Sequence, residues 1–159
     1  MNAILACDYK GGIGNNGSLP WTSADAPGDL AYFKKVTTGK TVIMGSKTWE
    51  SLPFKPLPGR LNVVLSSKLE LESSDSVKVF RDKDSLMEFI NLQNPEDIFV
   101  IGGAGIFELL KEHIKTIHLT IIKKIFNCDT FIPIHILLTK YKIEVLVNTD
   151  PYTRMILSL

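Results

Sequence analysis

The residues able to do chemistry in this chain sit in short runs of glycine, hydroxyl and cation. Gly102-Gly103-Ala104-Gly105 follows the apolar run Ile98 to Ile101 and leads into Ile106 and Phe107. Glycine lets a backbone approach a ligand closely, and a helix N-terminus offers unpaired N–H groups to a phosphate. Gly45-Ser46-Lys47-Thr48 repeats that arrangement after the apolar run Thr41 to Met44, adding a cation and two hydroxyls. Ser66-Ser67-Lys68 closes a third apolar run, Leu61 to Leu65. Each run suits a phosphate, and each equally suits a plain turn. Neither familiar nucleotide fingerprint fits. G-x-G-x-x-G fails because Glu108 stands where its last glycine belongs, and the P-loop fails because Thr41 stands where its first one belongs.

Asp29 is the carboxylate whose placement could be chemical. It opens the segment Asp29 to Thr37, which reads as a helix, and it shares a helix face with Phe33 four residues on. An aspartate in a first turn favours the positive end of the helix dipole. Beside an apolar stripe it is either a cap or a buried acid, and the residues alone leave both open. Asp25 is a rival acid outside the helix. Arg60 ends a loop stiffened by Pro53, Pro56 and Pro58. An arginine held that way can fork onto a carboxylate, or can simply be solvated. Lys10 to Ser18 is a glycine- and asparagine-rich loop ending in Leu19-Pro20-Trp21. Trp21 either packs on the core edge or anchors a mobile loop.

These groups need elements to hold them. Asn2–Cys7, Thr41–Met44, Leu61–Leu65, Val77–Phe80, Ile98–Ile101 and Thr116–Ile122 read as strands. Residues 29–37, 85–92 and the segment after Gly105 read as helices, with a short one holding Trp49 and Leu52. Residues 128–133 read as a loop, and Tyr141–Val147 with Tyr152–Leu157 as an antiparallel pair. Strands alternating with helices predict an α/β fold. In such a sheet ligands sit beyond the carboxyl ends of the strands. That rule gathers the loop 10–28, Gly45 to Thr48, Ser66 to Lys68 and Gly102 to Gly105 on one rim, which suits a dinucleotide.

With 159 residues, 45% hydrophobic, the chain is expected to form one domain over 1–159. A formal net charge of +1 argues against nucleic acid or an anionic membrane as partner. No stretch approaches the ~20 apolar residues of a bilayer span, and no secretory signal is apparent. Cys7 and Cys128 lack metal spacing and read as free thiols in a cytoplasmic setting. His113, His118 and His135 match no ligand pattern, so no metal is expected.

In order along the chain, the motifs resemble the dihydrofolate reductase family. They are Ile13-Gly14, Leu19-Pro20-Trp21, Asp29-Leu30 with Phe33, Val42-Ile43-Met44-Gly45, Thr48-Trp49-Glu50-Ser51, Pro56-Leu57-Pro58-Gly59-Arg60, Asn62 to Ser67, Val100-Ile101-Gly102-Gly103, Leu119-Thr120 and Asp129-Thr130. Any one is weak, but their shared order is specific. The resemblance implies a single domain with a central, mostly parallel twisted sheet. About eight strands are expected, with an antiparallel C-terminal strand and about four flanking helices. It implies reduction of 7,8-dihydrofolate to tetrahydrofolate by hydride from NADPH, serving thymidylate and other one-carbon synthesis, in a cytoplasmic monomer.

Residue by residue, the resemblance makes Asp29 the buried acid that holds the pterin and supports N5 protonation. Thr120 would bond to Asp29, and Trp21 would belong to the loop closing over the nicotinamide. Ile4, Leu5, Ala6, Leu30, Phe33, Leu52, Leu57, Ile101 and Phe107 would line the folate slot. Arg60 would clamp the α-carboxylate of the glutamate tail. Gly45, Ser46, Lys47, Thr48, Gly102, Gly103, Ala104, Gly105 and Ile106 would hold ribose and pyrophosphate. Ser66, Ser67 and Lys68 would flank the adenosine 2′-phosphate. Ala6, Ile13, Gly14, Leu19, Leu65, Ile101 and Thr130 complete the cofactor set. Gly102-Gly103 resembles the family's cis Gly-Gly bond. Seven residues separate Trp21 from Asp29, a longer segment than usual in the family. Ser46 and Gly105 stand where some members carry arginines toward the cofactor phosphates.

Overall fold

A computed structural model describes residues 1–159. Its organising strand is β1, Asn2–Cys7, which is apolar from Ala3 onward and has both of its faces covered. Side chains alternate across a strand. Ala3, Leu5 and Cys7 therefore enter the larger of two apolar cores, and Ile4 enters the smaller.

Next come the short β2, Gly12–Gly14, then α1, Asp29–Thr37, and β3, Thr41–Gly45. Helix α2, Ser46–Ser51, starts directly from β3, and β4, Leu61–Leu65, and β5, Val77–Phe80, follow. Then come α3, Lys83–Asn91, β6, Ile98–Gly102, α4, Ala104–Leu110, and β7, Thr116–Ile122. The chain closes with β8, Thr130–Phe131, α5, Ile134–Lys140, β9, Lys142–Asn148, and β10, Tyr152–Ser158. Single 3-10 turns lie at Pro95–Asp97 and Lys111–His113.

Eight strands form one sheet in the order β5-β4-β3-β6-β1-β7-β10-β9. The pairs β1–β6, β1–β7, β3–β4, β3–β6 and β4–β5 are parallel, and β10 runs antiparallel to both β7 and β9. This is the mostly parallel α/β sheet expected from the sequence. The larger core joins α3, α4 and α5 to one face through Leu86, Phe107 and Leu137. The smaller lies on the other face, where Trp49 and Leu57 are buried and Tyr32, Phe33 and Val36 of α1 pack against them.

Two expectations need correction. Residues 10–18 and 128–133 are not wholly loop, because β2 and β8 pair as a two-stranded ribbon with Gly14 opposite Thr130. Glycines hid β2, since they weaken strand propensity yet leave room for Cys128, whose Sγ lies 2.4 Å from where a Gly12 Cβ would stand. Helix α5 lies in a segment the sequence left unassigned, and the resulting five α-helices fit the expected fold. Its run Ile134-His135-Ile136-Leu137-Leu138 lacks clear polar spacing. Helix α3 starts two residues earlier than expected, because the Asp82 side chain caps it by accepting from Ser85 N at 2.8 Å.

Candidate active site

Helix α1 brings Asp29 to the sheet. Gly28, with φ 80°, turns the chain into the helix, so Asp29 stands in the first turn and its side chain reaches β7. Thr120 Oγ1 of β7 donates to Asp29 Oδ1 at 3.0 Å. Ala6, Thr120 and Arg154 sit side by side across β1, β7 and β10. That register delivers Arg154, whose NH2 lies 3.4 Å from the same Oδ1, while its Nε lies 3.4 Å from Thr120 Oγ1. The guanidinium carbon sits 4.1 Å from the Tyr32 ring centroid and 4.9 Å from that of Tyr152. The acid therefore has a cationic neighbour beside its apolar surroundings. Asp29 Oδ2 receives no bond from the chain, and no buried side-chain oxygen or nitrogen is left without a partner, so solvent reaches Oδ2.

Asp25, the rival acid, is tied into its own loop. It accepts from Thr22 N at 2.9 Å and pairs with Lys124 Nζ at 2.8 Å.

Ile4, Phe33, Leu52, Leu57 and Ile101 come together in the smaller core, against which α1, the helix that carries Asp29, packs through Phe33. Leu5 and Phe107 do not join them. Period-two alternation sends Leu5 to the larger core, where α4 also buries Phe107. Leu30 is 70% exposed, on the outer side of α1. Arg60 is only 8% exposed. Its Nε donates to Pro58 O at 2.9 Å and its NH1 to Thr37 Oγ1 at 3.1 Å, and it stands over the Phe33 ring. No carboxylate of the chain pairs with it.

Leu19 is 61% exposed, whereas Trp21 is buried against Phe126 with ring centroids 5.9 Å apart. Ala6, Ala26 and Ile122 share that small cluster. Trp21 is therefore a fixed anchor, and Leu19 rides above it. Ile13 and Gly14 lie against Thr130 through the β2–β8 ribbon.

The ends of β3 and β6 meet at the rim. Met44 pairs with Gly102, and Gly102-Gly103 is a cis peptide. A Cβ on Gly102 would stand 3.4 Å from Thr48 Oγ1, and one on Gly45 would stand 3.1 Å from Ile106. A Cβ on Gly105 would meet nothing within 4 Å. Two glycine turns with Ser46, Lys47, Thr48 and Ala104 thus form one open cradle. Leu65 packs on the larger core, and Ser66 Oγ accepts from Leu69 N at 3.0 Å. Ser67 and Lys68 are exposed. Arg81, missed in the sequence, fastens this turn by donating to Ser66 O and Leu69 O.

Sequence reasoning also missed Arg154, Tyr32, His118 and Asp8. A signal for Arg154 was present: it is the one charged residue within Tyr152–Leu157, on the face shared with Tyr152 and Ile156. Tyr32 OH and His118 Nδ1 share a 2.7 Å hydrogen bond behind Arg154. Burial lowers the His118 pKa below its ordinary value.

Comparison with known proteins agrees with this geometry. A family model described as dihydrofolate reductase matches residues 1–150. An Escherichia coli dihydrofolate reductase type 8 is 38% identical over 159 residues, covering 96% of this chain and 92% of that protein. Bifunctional dihydrofolate reductase-thymidylate synthases of Paramecium tetraurelia and Zea mays are each 41% identical, over 83% and 82% of this chain. The chain spans 28% of the length of each of those two bifunctional relatives. A match across nearly the whole sheet, together with an acid, its threonine and a double-glycine rim in register, places the chain in the dihydrofolate reductase family of enzymes.

Proposed function

We propose that this chain reduces 7,8-dihydrofolate to 5,6,7,8-tetrahydrofolate with hydride from NADPH. The observation carrying this reading is the Asp29 carboxylate, fixed through Oδ1 by Thr120 and Arg154 with Oδ2 left open beside an apolar wall. Two N–H donors on one edge of an amino-pyrimidine ring match such a carboxylate. Ile4, Phe33, Leu52, Leu57 and Ile101 would cover the ring faces, with Leu30 at the open edge. The carboxylate and a water at Oδ2 would bring the proton toward N5.

The glycine cradle supports a dinucleotide, because its open side would be filled by a side chain at Gly105. When bound, NADPH supplies the hydride. Lys47, Thr48 and the backbone of residues 102–106 would hold its ribose and pyrophosphate, and Ser67 and Lys68 its 2′-phosphate. Leu19, anchored through Trp21, would help exclude water. Arg60, a buried cation without a carboxylate of its own, suits the carboxylate of the glutamate tail.

The same reading has the chain work in the cytoplasm as a single-domain monomer supplying one-carbon synthesis. Two free cysteines fit a reducing compartment, and no helix is long and apolar enough to cross a membrane.

The test is dihydrofolate-dependent NADPH oxidation by purified protein, with Asp29→Asn alongside. Turnover should fall by about 10²–10⁴ in the variant near neutral pH, with NADPH still bound. Wild-type turnover in the variant would reject Asp29 as the acid. No turnover in either protein would reject the activity.

A further inference from the structure

On the assignment of Asp29 as the pterin-binding acid, we propose that Arg154 is a specificity-determining residue. Its fixed positive charge balances the Asp29 carboxylate, so the site selects an uncharged heteroaromatic ring over a protonated one. Arg154 is built into place. Its side chain is 8% exposed, and Asp29 is the only carboxylate it pairs with. The guanidinium is held between the Tyr32 and Tyr152 rings. Its Nε also reaches Thr120 Oγ1, the hydroxyl that donates to Asp29. An arginine stays charged at any working pH. Buried between two aromatic rings, it is screened far less than a surface cation.

The consequence concerns ligand charge. Both in-chain contacts fall on Asp29 Oδ1, so a ring edge binds from the Oδ2 side. An uncharged amino-pyrimidine edge still finds two acceptor oxygens. A ring carrying a proton brings a full positive charge, which the carboxylate attracts and the guanidinium repels. With a lone carboxylate only the attraction would act, and the cation would gain strongly. The Arg154–Asp29 pair leaves the local charge near zero and removes most of that gain. If Arg154 serves packing alone, its loss weakens charged and uncharged ligands alike.

The test uses two ligands of matched shape. One is a 5-benzyl-2,4-diaminopyrimidine, a base that meets a carboxylate as its ring-protonated cation. The other is its uncharged 2-amino-4-oxo counterpart. Dissociation constants are measured by fluorescence titration at one pH and one salt concentration. The ratio between the two ligands is compared in wild type, Arg154→Met, Arg154→Gln and Arg154→Lys. The Gln variant keeps the stem and an N–H donor for Asp29, so it guards against loss of folding in Met. Expected is a shift of at least roughly tenfold toward the cation in Met and Gln, with Lys within about threefold of wild type. In wild type alone, the preference for the cation should stay below about tenfold; a preference near a thousandfold overturns the proposal even if neither neutral variant folds. Equal weakening of both ligands in Met or Gln also overturns it and leaves Arg154 a packing residue. Absence of binding by both ligands, with no dihydrofolate turnover in wild type, removes the folate reading and this proposal together. Turnover with an unchanged ratio removes this proposal alone.

Discussion

Asp8 should prove to be the fastening of the loop that carries Trp21. It is fully buried, and its two oxygens divide the work. Oδ1 accepts from Lys10 N and Gly12 N, each at 2.8 Å. Oδ2 accepts from Phe126 N at 2.9 Å and from the Cys128 thiol at 3.7 Å. Phe126 is the ring on which Trp21 packs. In Asp8→Asn the amide oxygen can keep Lys10 and Gly12, but the amide nitrogen then faces the Phe126 N–H, donor against donor. Two hydrogen bonds losing charge assistance at about 1 kcal/mol each, plus one orphaned buried donor at about 1–3 kcal/mol, set the gross loss. Burying no charge offsets part of this. The net expectation is a loss of about 2–4 kcal/mol at neutral pH. Urea unfolding of both proteins, with the slope on denaturant checked for constancy, measures it.

The pH dependence of that gap is a second readout. Burial alone would push the Asp8 carboxyl up, but the N–H groups of Phe126, Gly12 and Lys10 with the Cys128 thiol outweigh it and hold it below the usual carboxylate range. A carboxylate lowered by folding contributes its stability in full above the unfolded value, about 3.9, and loses it as pH falls through the folded one. The wild-type advantage should therefore be flat from about pH 5 to 8 and close only in stronger acid. A gap under about 1 kcal/mol at neutral pH, or one that widens on acidification, would refute the reasoning.

Four further outcomes are expected. Arg60→Leu should weaken dihydrofolate more than a tail-less pterin, measured as the KM ratio; equal losses would reject the clamp. Gly105→Ala should leave stability within about 1 kcal/mol while raising the KM for NADPH, because its Cβ enters open space in the cradle. Gly102→Ala, at φ 137° with Thr48 Oγ1 3.4 Å away, should cost about 1–3 kcal/mol in unfolding experiments. A histidine lowered by folding costs stability as pH drops from about 6.5 through its folded value. His118→Gln should therefore flatten the stability slope below about pH 7, and an unchanged slope would assign it to other groups.

The sequence by itself determined the strands and the rim. Apolar runs such as Leu61–Leu65 and Ile98–Ile101 have to be covered on both faces, so strand identity and mostly parallel pairing follow locally. Glycine, hydroxyl and lysine after those strands fall at the carboxyl ends for the same reason. The family resemblance implied Asp29 and Thr120 as a pair although they lie 91 positions apart. Side-chain partners were decided only by register and packing. The β10 register sets Arg154 opposite Thr120 and gives Asp29 its cation, a fact absent from any local pattern. Alternation along β1 sends Leu5 to the larger core and Ile4 to the smaller. The β2–β8 ribbon forms because a glycine-rich segment, weak as a strand alone, is paired and fixed by groups more than 100 residues away, such as Phe126 N on Asp8. Such contacts depend on where strands settle beside one another, and long-range pairing decides that rather than local propensity.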